Sequence, residues 1–203
     1  MKRLLPYRTY NEPDVINMFA LVDAQANDRT TTVGSGDDGV FVKVQTGNLN
    51  LDVDFSQNDF LGKTDYPHVY DNMYPSNPLR CEAATSGDTN ILGITLSETV
   101  KNDEHGQSLL FNKHKREAIH AVVPGQTVPI LSRGVVMLGA GALEAALVVG
   151  KKFKISTTLP GKVVSCENND ADAIGAVLGA GTRTAQTDIA DKFAGAFALV
   201  RIG

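Results

Sequence analysis

From residue 39 onward apolar residues recur at every second position in several short stretches and at helical spacing in few places, a pattern that predicts strands. "VFVKV" at 40–44 alternates, and in "NLNLDVDF" at 48–55 Leu49, Leu51, Val53 and Phe55 face one way while Asn48, Asn50, Asp52 and Asp54 face the other. "TVPIL" (127–131), "KKFKIS" (151–156), "VVSC" (163–166) and "AFALVRIG" (196–203) read as further short strands. The strands at 127 and 163 follow Val123-Pro124-Gly125-Gln126 and Leu159-Pro160-Gly161-Lys162. Pro then Gly at the central positions suits a type II turn, whose second central residue needs a positive φ.

The first 38 residues depart from this pattern. Asn11 is placed to cap a short helix, with Glu12, Pro13 and Asp14 in its first turn and Val15, Ile16, Met18, Phe19 and Leu21 following. Such a helix cannot bury itself, so it must lie on its own domain or on another chain, and the extra apolar surface of Leu4, Leu5, Tyr7 and Tyr10 favours another chain. The expected organisation is an N-terminal arm over 1–38 and a β-rich domain over 39–203. Within that domain, 56–80 reads as a long surface excursion and "TDIADKFAG" at 187–195 as a weak helix. The expected fold is mainly β: a compact barrel or sandwich with an extended arm carrying one short helix.

An internal similarity runs through the domain. "CEAATSGDTNILGITL" (81–96) resembles "CENNDADAIGAVL" (166–178), and each is followed by an aliphatic strand containing arginine, "PILSRG" at 129–134 and "ALVRIG" at 198–203. If the match reflects duplication, two similar strand units pack together.

Composition narrows the function. The chain has 203 residues, 42% hydrophobic and 21% charged, with a net charge of -4, which gives no reason to expect a nucleic-acid or membrane partner. No apolar run approaches the ~18 residues of a membrane span. The basic start "MKRLLPYRTY" lacks the apolar core and cleavage site of a secretory signal, so a reducing cytoplasm is the expected place of synthesis. Cys81 and Cys166 are then reduced core residues.

"VVMLGAGALEAALVVG" at 135–150 suggests strand, glycine turn and helix, the order of a dinucleotide cradle. However, the third glycine of that pattern is replaced by Glu144, whose carboxylate would face the phosphates. Gly139 and Gly141 are therefore expected to serve a strand-to-strand turn. His68, His105, His114 and His120 show no metal-ligand spacing, and Asp52 and Asp54 read as a solvated strand face. Ser132 lies outside a nucleophile elbow, and the basic run "NKHKRE" (112–117) lacks interleaved aromatics. No cofactor, metal or catalytic residue is expected.

From about residue 122 onward the chain resembles the capsid decoration (cement) proteins of tailed bacteriophages. The matching residues are Gly125, Gln126, Val128 and Pro129; Arg133, Gly134 and Val135; Gly161 to Val164; Ala171 to Gly175 with Leu178; and Val200, Arg201 and Ile202. "YNEPDVINMFAL" followed by "GVFVKV" is loosely similar to the opening of larger phage virion proteins. The resemblance implies a non-enzymatic, β-tulip or β-clip-like domain, usually trimeric, on the outer face of the major capsid protein shell, where it stabilises the DNA-filled head. On that reading the arm residues Leu4, Leu5, Tyr7, Tyr10, Val15, Ile16 and Phe19 would contact the capsid. A second expectation is a carbohydrate- or receptor-binding module of a fibre or tail, stacking ligands on Tyr66, Tyr70 and Tyr74. A third is a small barrel enzyme using Asp52, Asp54 and His120.

Overall fold

The structure, a computed structural model, describes residues 3–21, 37–45, 79–100, 102–103, 105–185 and 193–203. Among them the chain is mainly β, with two six-stranded sheets and one two-stranded ribbon. The first sheet runs in the order β1 (Leu4–Thr9), β10 (Gly134–Gly139), β14 (Gly195–Ile202), β13 (Gly175–Arg183), β11 (Lys152–Ile155) and β12 (Val163–Cys166), and its neighbours are all antiparallel. The second runs β2 (Val15–Ile16), β9 (Ile130–Leu131), β6 (Ile91–Thr95), β4 (Phe41–Val44), β5 (Arg80–Ala83) and β3 (Ala20–Leu21). Only its β3–β5 pair is parallel. β7 (Glu98–Thr99) and β8 (Ala121–Val122) form the ribbon, and the α-helix α1 spans Lys113–Ala118.

The internal similarity has a topological counterpart. Spatial order β9-β6-β4-β5 in one sheet matches β14-β13-β11-β12 in the other, with the strands visited in the same chain order and every pair antiparallel. Lys43, third in β4, reaches Asp88 Oδ1 at 3.0 Å, and Lys154, third in β11, reaches Asp170 Oδ2 at 2.7 Å. Both aspartates sit in the link between the second and third strands of their unit. Their amides donate three residues back, Asp88 to Thr85 and Asp170 to Glu167. The two cysteines do not correspond, since Cys81 is second in β5 whereas Cys166 ends β12.

The main core lies between the sheets, where alternate residues of each strand interdigitate. Phe41, Ile94 and Leu131 from one side meet Val136, Leu138, Phe153, Ile155, Val177, Val200 and Ile202 from the other. Burying each of these side chains contributes roughly 1.5–3 kcal/mol. Val42, Cys81, Val128 and Ile130 form a second cluster with Leu21, against which Ile16 and Phe19 pack. A third, smaller cluster joins Val100, Leu109, Leu110, Ala121 and Val123 in the excursion from β7 to β8.

Both Pro–Gly turns form as expected. Gly125 has φ 88° and Gly161 φ 71°, with Gln126 N–H donating to Val123 O at 3.0 Å and Lys162 N–H to Leu159 O at 3.1 Å. Phe41 N–H donates to Gly161 O and Gly161 N–H to Ala84 O, so the second turn also straps the two sheets together.

The N-terminal segment differs from the sequence expectation. Asn11 and Pro13 start only a 3₁₀ turn, Glu12–Asp14, and the chain then enters β2 and β3. The β-branched Val15 and Ile16 pair with Leu131 and Ile130, and this tertiary pairing outweighs the local helix-start signal. With β1 on β10, β2 on β9 and β3 on β5, residues 3–21 are built into both sheets. The described α-helix is instead α1, in the run "NKHKRE", where Asn112 Oδ1 caps it by accepting from Lys115 N–H at 3.3 Å. The strand read at 48–55 lies outside the described residues, as does most of the helix read at 187–195.

After β10 the chain makes one 3₁₀ turn, Ala140–Ala142, and continues without a long helix toward β11. Gly139 has φ -96°, so its backbone places no demand for glycine there. Glu144 pins this connection: its N–H donates to Val163 O at 3.0 Å, and its carboxylate accepts from Thr158 Oγ1 at 2.8 Å.

Candidate partner-binding surface

The seven residues expected to contact a capsid divide by burial. Leu4 is 2% exposed in the main core and Leu5 is 8% exposed, so neither is free to touch a partner. Val15 packs against the main core, and Ile16 and Phe19 against the second cluster. All three are half-buried, and Val15 and Ile16 pair with β9. Tyr7, 55% exposed, and Tyr10, 37% exposed, remain at the surface.

The open end between the sheets forms a cleft of 620 Å³. β1 lines it with Leu4, Pro6 and Arg8, followed by Tyr10, because successive side chains of a strand alternate faces. Leu4, Val15, Leu96 and Pro129 give it an apolar floor. Arg8, Asp38, Glu98 and His120 bring charge and hydrogen-bonding capacity, and Tyr10 and Phe193 each add an aromatic ring. An apolar floor with a few convergent polar groups can hold an amphipathic group of a partner.

His120, offered at the sequence level as a member of an enzymatic trio, lies at this cleft with φ 53°. Its backbone explains its position: it follows α1 in the left-handed conformation that ends helices, and its N–H donates to Glu117 O at 3.1 Å. Asp52 and Asp54 lie outside the described residues, as do His68 and the ligand-stacking candidates Tyr66, Tyr70 and Tyr74. Among the described residues no group of His, Cys, Asp and Glu is arranged to hold a metal ion. No described helix is long and apolar enough to cross a membrane.

The excursion between β7 and β8 carries a surface feature that sequence reasoning passed over. Phe111 stands 66% exposed, more than any other large apolar side chain among the described residues. In the same excursion, Asp103 is only 1% exposed and accepts from Lys115 Nζ at 2.8 Å, from His105 N–H at 2.9 Å and from Gln107 N–H at 2.8 Å. The Lys115 ammonium and the two amides hold its carboxyl at about 2 despite burial. The signal lay in "LLFNKHK", where two leucines pair with the small cluster and the adjacent phenylalanine must point elsewhere.

Three of the five segments behind the phage-protein resemblance lie on neighbouring strands of the first sheet, whereas Gly161 to Val164 leads into β12 at its edge and Gly125 to Pro129 leads into β9 of the second sheet. Gly134 pairs with Ile202, Val135 with Arg201, and Gly175 with Ile202, bringing "RGV", "ADAIG" and "VRI" to adjacent strands. Gly134 has φ 152°, and an added Cβ would lie 2.8 Å from Tyr10 Cβ. Gly134 and Gly175, where a Cβ would strike Tyr10 and the Arg201 carbonyl, thus serve close approach between neighbouring segments. Comparison of the chain with protein-family models, curated proteins and solved structures finds no match.

Proposed function

We propose that this chain is a non-enzymatic structural protein of a tailed phage virion, a decoration protein on the outer face of the major capsid protein shell. It is made in the host cytoplasm, assembles as a homotrimer and stabilises the DNA-filled head. The observation that carries this reading is that three of the five resembling segments meet on β10, β13 and β14. The strings around Gly134, Gly175 and Arg201 lie side by side in one sheet, as expected if they encode a shared frame.

The test is to mix the purified chain with expanded, DNA-filled shells of its virus and to count the copies retained per shell protein. A fixed, saturable ratio and slower heat release of DNA support the proposal. Failure to associate with shells at micromolar concentration overturns it. Deleting residues 1–21 is an unsuitable control, because it would remove three strands from the two sheets.

A further inference from the structure

We infer that the cleft at the open end between the sheets binds a neutral oligosaccharide, stacking pyranose rings on Tyr10 and Phe193 and fixing their hydroxyls with Arg8, Asp38, Glu98 and His120. This goes beyond shell decoration and does not rest on it. The cleft measures 620 Å³, more than a single sugar ring fills. Tyr10 is 37% exposed and Phe193 44% exposed, so each lining ring still offers apolar surface. The C–H face of a pyranose covers such a ring and leaves its hydroxyls pointing outward to polar groups.

The polar lining then selects a neutral ligand. Arg8 and His120 have side chains with no hydrogen-bond or ion-pair partner among the described residues, and Asp38 and Glu98 set two carboxylates in the same cleft. The carboxylates oppose an anion, and the unpaired guanidinium opposes a cation. A sugar hydroxyl suits both, because it donates to a carboxylate and accepts from a guanidinium, and a carboxylate already engaged by one donor retains acceptor sites. These groups stand on fixed elements. Glu98 pairs with Ala121, next to His120, and the His120 N–H is held by Glu117 O. Arg8 pairs with Val136 on β10, and Tyr10 Cβ packs so closely over Gly134 that an added Cβ there would lie 2.8 Å away. A lining held in place before the ligand arrives loses little ordering entropy on binding.

The experiment titrates native chain, Arg8→Gln and Tyr10→Leu with cellohexaose, maltohexaose and chitohexaose, following amide resonances by NMR. Glucose, N-acetylglucosamine and an acidic hyaluronan hexasaccharide are run alongside. Arg8 and Tyr10 are both exposed, so unchanged thermal unfolding of the variants establishes that the fold is intact. At least one neutral hexamer is expected to saturate native chain at millimolar concentration or below, moving the amides of Arg8, Ser97 and His120. Each substitution should weaken that binding about tenfold, the loss expected when a charged hydrogen bond or a stacked ring is removed. The proposal is overturned if no neutral hexamer saturates, if the acidic sugar binds more tightly, or if both variants bind as native chain does. Equal affinity for the monosaccharides also overturns it, in favour of a small-sugar site. If expanded shells mask the same amides while no sugar binds, the cleft is a protein interface and the proposal falls.

Discussion

Phe41 and Phe153 meet edge to face, with ring centroids 5.9 Å apart and planes at 61°, at the point where the two similar strand units face each other. Each ring comes from the first strand of its unit, and neither has measurable exposure. Phe153→Ala is expected to cost about 3–5 kcal/mol in denaturant unfolding, and Phe41→Ala a similar amount. A double-mutant cycle should return a coupling of about 0.5–1.5 kcal/mol. Strict additivity would mean that the two sheets are held together elsewhere.

Asp103 makes the base of the excursion sensitive to acid. Its carboxyl is lowered from 3.8 to about 2, chiefly by Lys115. A carboxyl whose folded value is depressed contributes stability above the unfolded value and loses it as pH falls through the folded one. The amides of His105 and Gln107 should therefore lose hydrogen-exchange protection between about pH 4 and 2. Asp103→Asn should show weaker protection already at neutral pH and little further change over that acid range.

Gly161 and Gly150 allow a controlled comparison of backbone strain. Both have positive φ, at 71° and 81°, but a Cβ at 161 would lie 2.5 Å from Val40 Cγ1, whereas at 150 it would meet nothing within 4 Å. Gly150→Ala should cost only the left-handed backbone penalty, about 1–2 kcal/mol. Gly161→Ala adds a steric conflict at the strap between the sheets and should cost measurably more in the same unfolding assay. Equal losses would show that Val40 yields freely.

The cysteines should be silent in the native protein. Cys81 is fully buried, Cys166 is 7% exposed, and neither is in a disulfide. Burial pushes the Cys166 thiol up, with nearby Asp170 adding to the effect, which lowers the thiolate fraction that reacts. A chromogenic disulfide reagent should detect no thiol at neutral pH until denaturant is added, and then both. Rapid native labelling would show that the sheets open readily.

Features with a local physical cause were legible in the sequence. The type II turns at Gly125 and Gly161 follow from proline and glycine at fixed places, and β4, β11, β12 and β14 from alternation. Features decided by distant partners were not. Val15 and Ile16 carry a helix-start signal just before them, yet their strand is created by Leu131 and Ile130, more than a hundred residues away. The same holds for Leu4, which looks adhesive in isolation because Leu138, its pairing partner, lies equally far along the chain. The internal similarity was visible at Gly93 and Gly175 but misaligned at the cysteines, since Cys81 pairs with Val44 at the end of β4 whereas Cys166 pairs with Lys152 at the start of β11. Phe111 was missed because its signal is a single apolar residue beside two core leucines, which periodicity does not register.

The place of β14 governs when this protein can become itself. That strand lies in the interior of the first sheet, hydrogen-bonded to β10 on one side and β13 on the other, although it is encoded after both. A nascent chain that has emerged only as far as β13 therefore holds two unjoined fragments with exposed strand edges, the condition in which β proteins aggregate. The sheet closes only once residue 202 has left the ribosome, so the yield of folded protein should depend on chaperone supply during synthesis more than on the stability of the finished fold.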